Sequence, residues 1–143
     1  MTEQEFRTAC LDRGIKLSDD QMQQFRTYTD LLIEWNEKMN LTAITEPSQI
    51  WEKHFLDSIL PFADMDIRTL ADIGTGAGFP GIPVKITWPD IQVTLVEPLK
   101  KRCRFLEAVK DSLQLQGLEL VPERAEEVAA DRRDWFDAGC SGA

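Results

Sequence analysis

Three glycines and two acids carry the chemistry that can be read in this sequence. Asp72-x-Gly74-x-Gly76-x-Gly78 follows directly on the apolar run Thr69 to Ile73, and a segment able to turn helical comes after it. Strand, glycine turn and helix make the first half of a βαβ unit. Glycine suits such a turn because it reaches positive φ at little cost and lets a ligand approach the backbone. The free N–H groups at the start of the following helix point into the same turn. The second acid, Glu97, ends the alternating apolar run Ile91 to Val96, which reads as the second strand. A carboxylate at that place can accept hydrogen bonds from both hydroxyls of a ribose. The dinucleotide fingerprint G-x-G-x-x-G does not fit, because its third glycine, counted from Gly74, falls on Phe79. Each feature alone has a plainer reading, a turn without ligand or a solvated acid. In this order and spacing they favour a ribose-bearing ligand.

These residues need elements to hold them. Residues 3–12 read as a short helix with Phe6, Ala9 and Cys10 on one side, ended by Gly14. Ser18-Asp19-Asp20-Gln21 is a capping box. The helix behind it runs to about Lys38, with Phe25, Tyr28, Leu32, Trp35 and Met39 along one face and Leu31 beside them. It should stop at Asn40. Thr45-Glu46-Pro47 opens another helix, with Ile50, Trp51, Phe55, Ile59 and Leu60 as its apolar face and Pro61 at its end. His54, Asp57 and Ser58 share a neighbouring face, and His54 reads as a structural histidine bonded to a neighbour. After the second strand, residues 100–113 are helical, with Cys103, Leu106, Val109, Lys110 and Leu113 in a stripe and Phe105 flanking it. Gly117 breaks that helix, and Leu118 to Val121 form a third strand. Asp131 to Asp134 read as a charged turn and Trp135-Phe136-Asp137 as the start of a fourth strand. The expected fold is α/β, with a helical cap over residues 1–65 on a Rossmann-like core over residues 66–143, in one globule without linker or repeat.

Charge and cysteine narrow the possible partners. The 143 residues carry a net charge of −9, which argues against non-specific binding to nucleic acid but leaves room for a local basic patch. Lys100, Lys101, Arg102 and Arg104 form one directly after Glu97; alone, they read as a solvated helix face. Cys10, Cys103 and Cys140 suggest neither a disulfide framework nor a zinc site, and the single histidine cannot build a histidine-based metal site. No stretch approaches the ~20 apolar residues of a membrane span. The polar, acidic start lacks a signal-peptide layout, so the expected location is cytoplasmic, with no membrane and no metal.

The glycine pattern resembles the first motif of class I S-adenosylmethionine (SAM) methyltransferases. The wider set of segments is similar to one family among them, the bacterial 16S rRNA guanine-N7 methyltransferases called RsmG or GidB. Those segments are Trp35-Asn36 with Asn40-Leu41-Thr42, Lys53 to Ser58, Asp72 to Pro83, Glu97 to Arg102 with Phe105-Leu106, and Arg124-Ala125-Glu126-Glu127. The resemblance implies transfer of a methyl from SAM to N7 of a guanine in the decoding-region loop of 16S rRNA, in the small ribosomal subunit or an assembly intermediate. It implies that Asp72, Gly74, Gly76, Gly78 and Phe79 belong to the cofactor site, with Gly74 and Phe79 touching the methionine end of SAM, that Glu97 holds the ribose, and that Ala125 and Glu126 lie at the adenine. Lys100 and Arg102 become candidates for rRNA phosphate contact. Members of the family continue past the position of Asp137. The expectation is therefore a C-terminally truncated sheet with its first strand at an open edge, and weak turnover or none. A non-catalytic SAM-binding module is the main alternative. A nicotinamide-binding half-domain is disfavoured by Phe79, and a small-molecule methyltransferase by the matches outside the SAM motifs.

Overall fold

A computed structural model of the chain describes residues 1–127 and 138–141, the last four by their backbone alone. Two helices come first, α1 (Glu3–Asp12) and α2 (Asp19–Met39), and both open with capping boxes, Thr2 with Glu5 and Ser18 with Gln21. Gln21 has a second task. Its Oε1 accepts from the Ser18 amide at 2.8 Å, while its Nε2 donates to the carbonyls of Ile86 and Thr87 at 2.9 and 3.1 Å. The cap thereby ties α2 to the end of α5 (Gly81–Thr87). Asn40 closes α2 in the left-handed region at φ 48°, where asparagine is tolerated.

The helix expected after Pro47 forms, though not as one α-helix. A single turn, α3 (Pro47–Gln49), passes into a π-helical stretch, Ile50–Leu56, then α4 (Asp57–Ile59) and a 3₁₀ turn, Leu60–Phe62. The wider π repeat brings residues five apart, Ile50 with Phe55 and Trp51 with Leu56, onto one buried face. There the rings of Phe6, Phe25, Trp51 and Phe55 interlock, Phe6 against Phe25 at 5.1 Å and Trp51 against Phe55 at 5.2 Å, both edge to face. Such pairs add about 0.5–1.5 kcal/mol each beyond the area they bury.

The sheet is parallel throughout, in the order β3-β2-β1-β4, with β1 (Thr69–Ile73), β2 (Gln92–Val96), β3 (Leu118–Val121) and β4 (Ala138–Ser141). This is the α/β, Rossmann-like arrangement expected. One expectation is corrected. β1 is not an open edge: β4 pairs with it from Leu70↔Ala138 to Ile73↔Ser141. Four residues, each paired with one residue of β1, are enough to extend the ladder, although Ala138-Gly139-Cys140-Ser141 has none of the β-branched residues that mark a strand. The charged turn at residues 131–134 and the strand start at 135–137 lie outside the described residues.

α6 (Lys100–Leu113) follows β2 and buries Phe105, Leu106, Val109 and Leu113. Phe105, expected at the flank, is wholly buried against Trp35 and Tyr28, whereas Lys110 stays half exposed. One apolar cluster reaches from Phe6 in α1 to Leu118 in β3, so cap and core pack as a continuous interior. Lys85 is the exception inside it. Only 2% of it is exposed, and its ammonium donates to the carbonyls of Pro89 and Ile91, each at 2.7 Å. Those two bonds offset the cost of burying a charge and fasten α5 to the turn before β2.

Candidate functional site

The glycine turn is built from both ends. Below it, the Asp72 carboxylate is fully buried; its Oδ2 accepts from the Thr75 hydroxyl at 2.5 Å and from the Gly81 amide at 2.9 Å. One acid at the end of β1 thus closes the turn and caps α5, where a negative charge is favoured by the helix dipole. Gly81 sits so close that a Cβ would strike Leu95 and the same carboxylate. On the β2 side, the amides of Gly74 and Thr75 both donate to the carbonyl of Val96, at 2.9 and 3.1 Å. That brings Gly76 next to Glu97. The Glu97 carboxylate, 2% exposed, accepts from the Gly76 amide through Oε1 and from the Leu99 amide through Oε2, both at 3.0 Å. Arg102 places Nη1 3.7 Å from Oε1.

α2 supports the turn from the other side. The Tyr28 hydroxyl donates to the carbonyl of Ala77 at 2.5 Å, and a Cβ on Gly78 would come within 2.8 Å of that hydroxyl and 2.7 Å of Ile82. Burial first, and the nearby Asp72 second, hold the Tyr28 phenol well above its ordinary pKa, so it remains a donor at any working pH.

Above the turn opens a cleft of ≈ 670 Å³. Gly74 and Gly76 of the turn line it, together with Glu97 and Arg102. Two aromatic rings, of His54 and Phe79, share the lining. His54, presented by the π-helical stretch, stacks on Phe79 with ring centroids 4.2 Å apart and planes 8° from parallel. Its Nε2 meets the Thr42 hydroxyl at 2.8 Å. Thr42 is itself fixed, its amide donating to Asn36 Oδ1 at 2.8 Å and its hydroxyl accepting from the Ile44 amide at 3.1 Å. Burial pushes the His54 imidazole below its ordinary pKa, with Asp57 opposing more weakly, so the ring is neutral at pH 7.

Of the residues singled out in the sequence, Gly74, Gly76, Phe79, Glu97 and Arg102 come together in this cleft. Asp72 and Gly78 lie beneath it as the turn's supports. Lys100 is exposed on the first turn of α6 and outside the lining. Ala125 and Glu126 are exposed after β3, at the start of a helical stretch. Sequence reasoning missed Thr42 and His54 as lining residues. The matched segments Asn40-Leu41-Thr42 and Lys53 to Ser58 did contain both, without indicating that they face the same space. Among the described residues no cluster of histidine, cysteine and acids suits a metal ion, and no helix is long and apolar enough to cross a membrane.

The family model GidB, rRNA small subunit methyltransferase G, matches residues 21–143. Relatives include the ribosomal RNA small subunit methyltransferase G of Bacillus velezensis, 46% identical over 142 residues that cover 96% of this chain and 59% of the relative. The protein of that name from Exiguobacterium sibiricum is 45% identical over 142 residues, covering 96% and 60%. That of Listeria monocytogenes is 47% identical over 129 residues, covering 88% and 54%. The chain spans less than two thirds of the length of these relatives.

Proposed function

The chain belongs to the rRNA small subunit methyltransferase G family, and on that premise we propose that its cleft takes SAM and that it methylates N7 of a guanine in the decoding-region loop of 16S rRNA, in the cytoplasm. The observation that carries the reading is the meeting of the glycine turn with a buried carboxylate, Gly76 amide to Glu97 Oε1 at 3.0 Å, in the lining of the cleft. The residues fit such a cofactor. A Cβ on Gly76 would find no atom within 4 Å, so the backbone there faces open space that a ligand can use. Each Glu97 oxygen keeps a lone pair beyond the one given to a backbone amide, enough for two ribose hydroxyls.

Bound in the cleft, SAM supplies a methyl on a sulfonium, already electrophilic. Guanine N7 is a lone-pair nucleophile with no proton to lose, so no general base is required. What remains for the chain is alignment and exclusion of water. Gly74 and Gly76 let the cofactor lie against backbone, Glu97 fixes the ribose, and the Phe79–His54 wall keeps water from the reacting end. A neutral His54 adds no positive charge beside a cation. Lys100, on the outer face of α6, is free to meet an rRNA phosphate.

Calorimetry with S-adenosylhomocysteine (SAH) and with NAD tests the cofactor, and methyl transfer to small subunits lacking the modification tests the reaction. SAH should bind and NAD should not. Equal or tighter NAD binding would end the reading, and SAH binding without transfer would leave a SAM-binding module.

A further inference from the structure

We propose that the aromatic wall of the cleft, the Phe79–His54 stack with the Thr42 hydroxyl beside it, is the seat of the acceptor base and receives a planar purine. The inference rests on the methyl-donor reading of the same cleft and adds to it where the second substrate lies. The lining of the cleft holds two chemically different sets of groups. Glu97 and Arg102 form one set, a carboxylate and an arginine, suited to hydroxyls. The other offers two rings and a hydroxyl, the set that recognises a base by stacking and by hydrogen bonds to its edge. Gly74 and Gly76 line the same cleft. A donor whose ribose was held at Glu97 would leave the rings of Phe79 and His54 for the acceptor.

The wall is built for a ligand more than for the core. Phe79 and His54 are both only partly buried, unlike the Phe6–Phe25–Phe55 cluster, which is wholly buried. His54 is held by two of its own groups, Nε2 by Thr42 and the backbone carbonyl by the Ser58 hydroxyl, and its ring lies flat on Phe79. It also projects from the π-helical stretch, a geometry that recurs at functional sites. A ring fixed this way loses little freedom when a base stacks on it. His54 acts here by positioning, since N7 needs no proton removed.

The experiment uses the fact that His54 is the only histidine in the chain, so its ring protons give isolated NMR signals. Guanosine monophosphate is titrated into the chain saturated with SAH, with ribose 5-phosphate as the control lacking a base. The expected result is a progressive ring-current shift of the His54 signals with the nucleotide, none with the sugar phosphate, and no displacement of SAH. His54→Ala should weaken nucleotide binding roughly tenfold, as loss of a stacking partner does, and weaken it more than it weakens SAH binding. His54→Phe should restore most of the nucleotide affinity. Absence of a shift at saturating nucleotide overturns the proposal. So does mutual displacement of nucleotide and SAH, which would make the wall the seat of the donor's own purine. If SAH fails to bind by calorimetry the donor reading falls, and a shift produced by the nucleotide alone would then still identify the wall as a base site.

Discussion

The amide of Gly76 stands 3.0 Å from Oε1 of Glu97, although they are twenty-one positions apart in the chain. The contact exists because β1 and β2 are paired in register to their last residues, Ile73↔Val96, so the turn leaving one strand meets the acid ending the other. Glu97→Gln would set an amide NH₂ against at least one of the two backbone donors now satisfied. Hydrogen bonds to a charged group are worth about 1.5–3 kcal/mol. The substitution should therefore weaken SAH binding by roughly ten- to a hundredfold with little change in circular dichroism. Affinity close to that of the parent would remove Glu97 from the site.

Gly76 and Gly78 should fail differently. Gly76 has φ +62° and open space where a Cβ would go. Gly76→Val should abolish SAH binding, because the side chain fills ligand space, while helical content survives. Gly78 has φ +99° and no room, with Ile82 and Tyr28 in the way. Gly78→Ala should lower the melting temperature by several degrees, about 1–3 kcal/mol of overpacking and strain. A thermal scan and a calorimetric titration on both variants separate the two cases.

Tyr28→Phe removes the hydroxyl that supports the turn from α2. The carbonyl of Ala77 loses that donor in a buried setting, at a cost of about 1–3 kcal/mol. Denaturant midpoints should fall accordingly. A midpoint unchanged from the parent would mean that the helical cap does not stabilise the turn through this bond.

The His54 imidazole titrates below its ordinary value of 6.5 because burial disfavours its charged form. Above 6.5 the ring is neutral in folded and unfolded chains alike, and its contribution does not vary with pH. Below it, the unfolded chain takes up a proton that the folded chain refuses, so stability falls as pH drops from 6.5 toward the folded value and levels off beneath it. His54→Phe keeps a ring on Phe79 without titrating. The urea midpoint of the parent, measured against this variant, should decline over that window; parallel pH curves would show that the ring is not shielded.

For RNA, Lys100 and Lys101 are the residues to change. Arg102 lies 3.7 Å from Glu97 and would disturb the cofactor end if reversed. Lys100→Glu with Lys101→Glu should weaken rRNA binding and leave SAH affinity within about twofold. The salt dependence of RNA binding should flatten by roughly 0.7 for each phosphate that the variant no longer neutralises. An unchanged salt slope would make the patch a solvated helix face.

The parts of this fold that could be read in advance are those whose signal is local. The glycines of residues 74–78 announce positive φ, the run ending at Glu97 announces a strand and its terminal acid, and Ser18 with Gln21 announces a helix start. What stayed hidden depends on residues far apart in the chain. No periodicity connects His54 with Phe79, and no helix rule sets the π repeat that aims His54 at it. Gly81 looks like any glycine until Asp72 and Leu95 are seen beside it. β4 stayed hidden because its pairing is with β1 and its composition is that of a loop. Glu97 was legible as an acid in the right place, but the two amides that orient it come from the turn and from α6's approach, which only the folded chain brings together.

Lys85 makes the interior of this protein chemically datable. Its amine lies between two carbonyls, out of reach of acylating reagents that find Lys100 and Lys101 at once. Acylation of Lys85 must wait for α5 to part from the turn at Pro89–Ile91, so in excess reagent its rate becomes the rate of that opening. Mass spectrometry of a single peptide would then follow the parting of α5 from the turn before β2, with the acyl group as the only label.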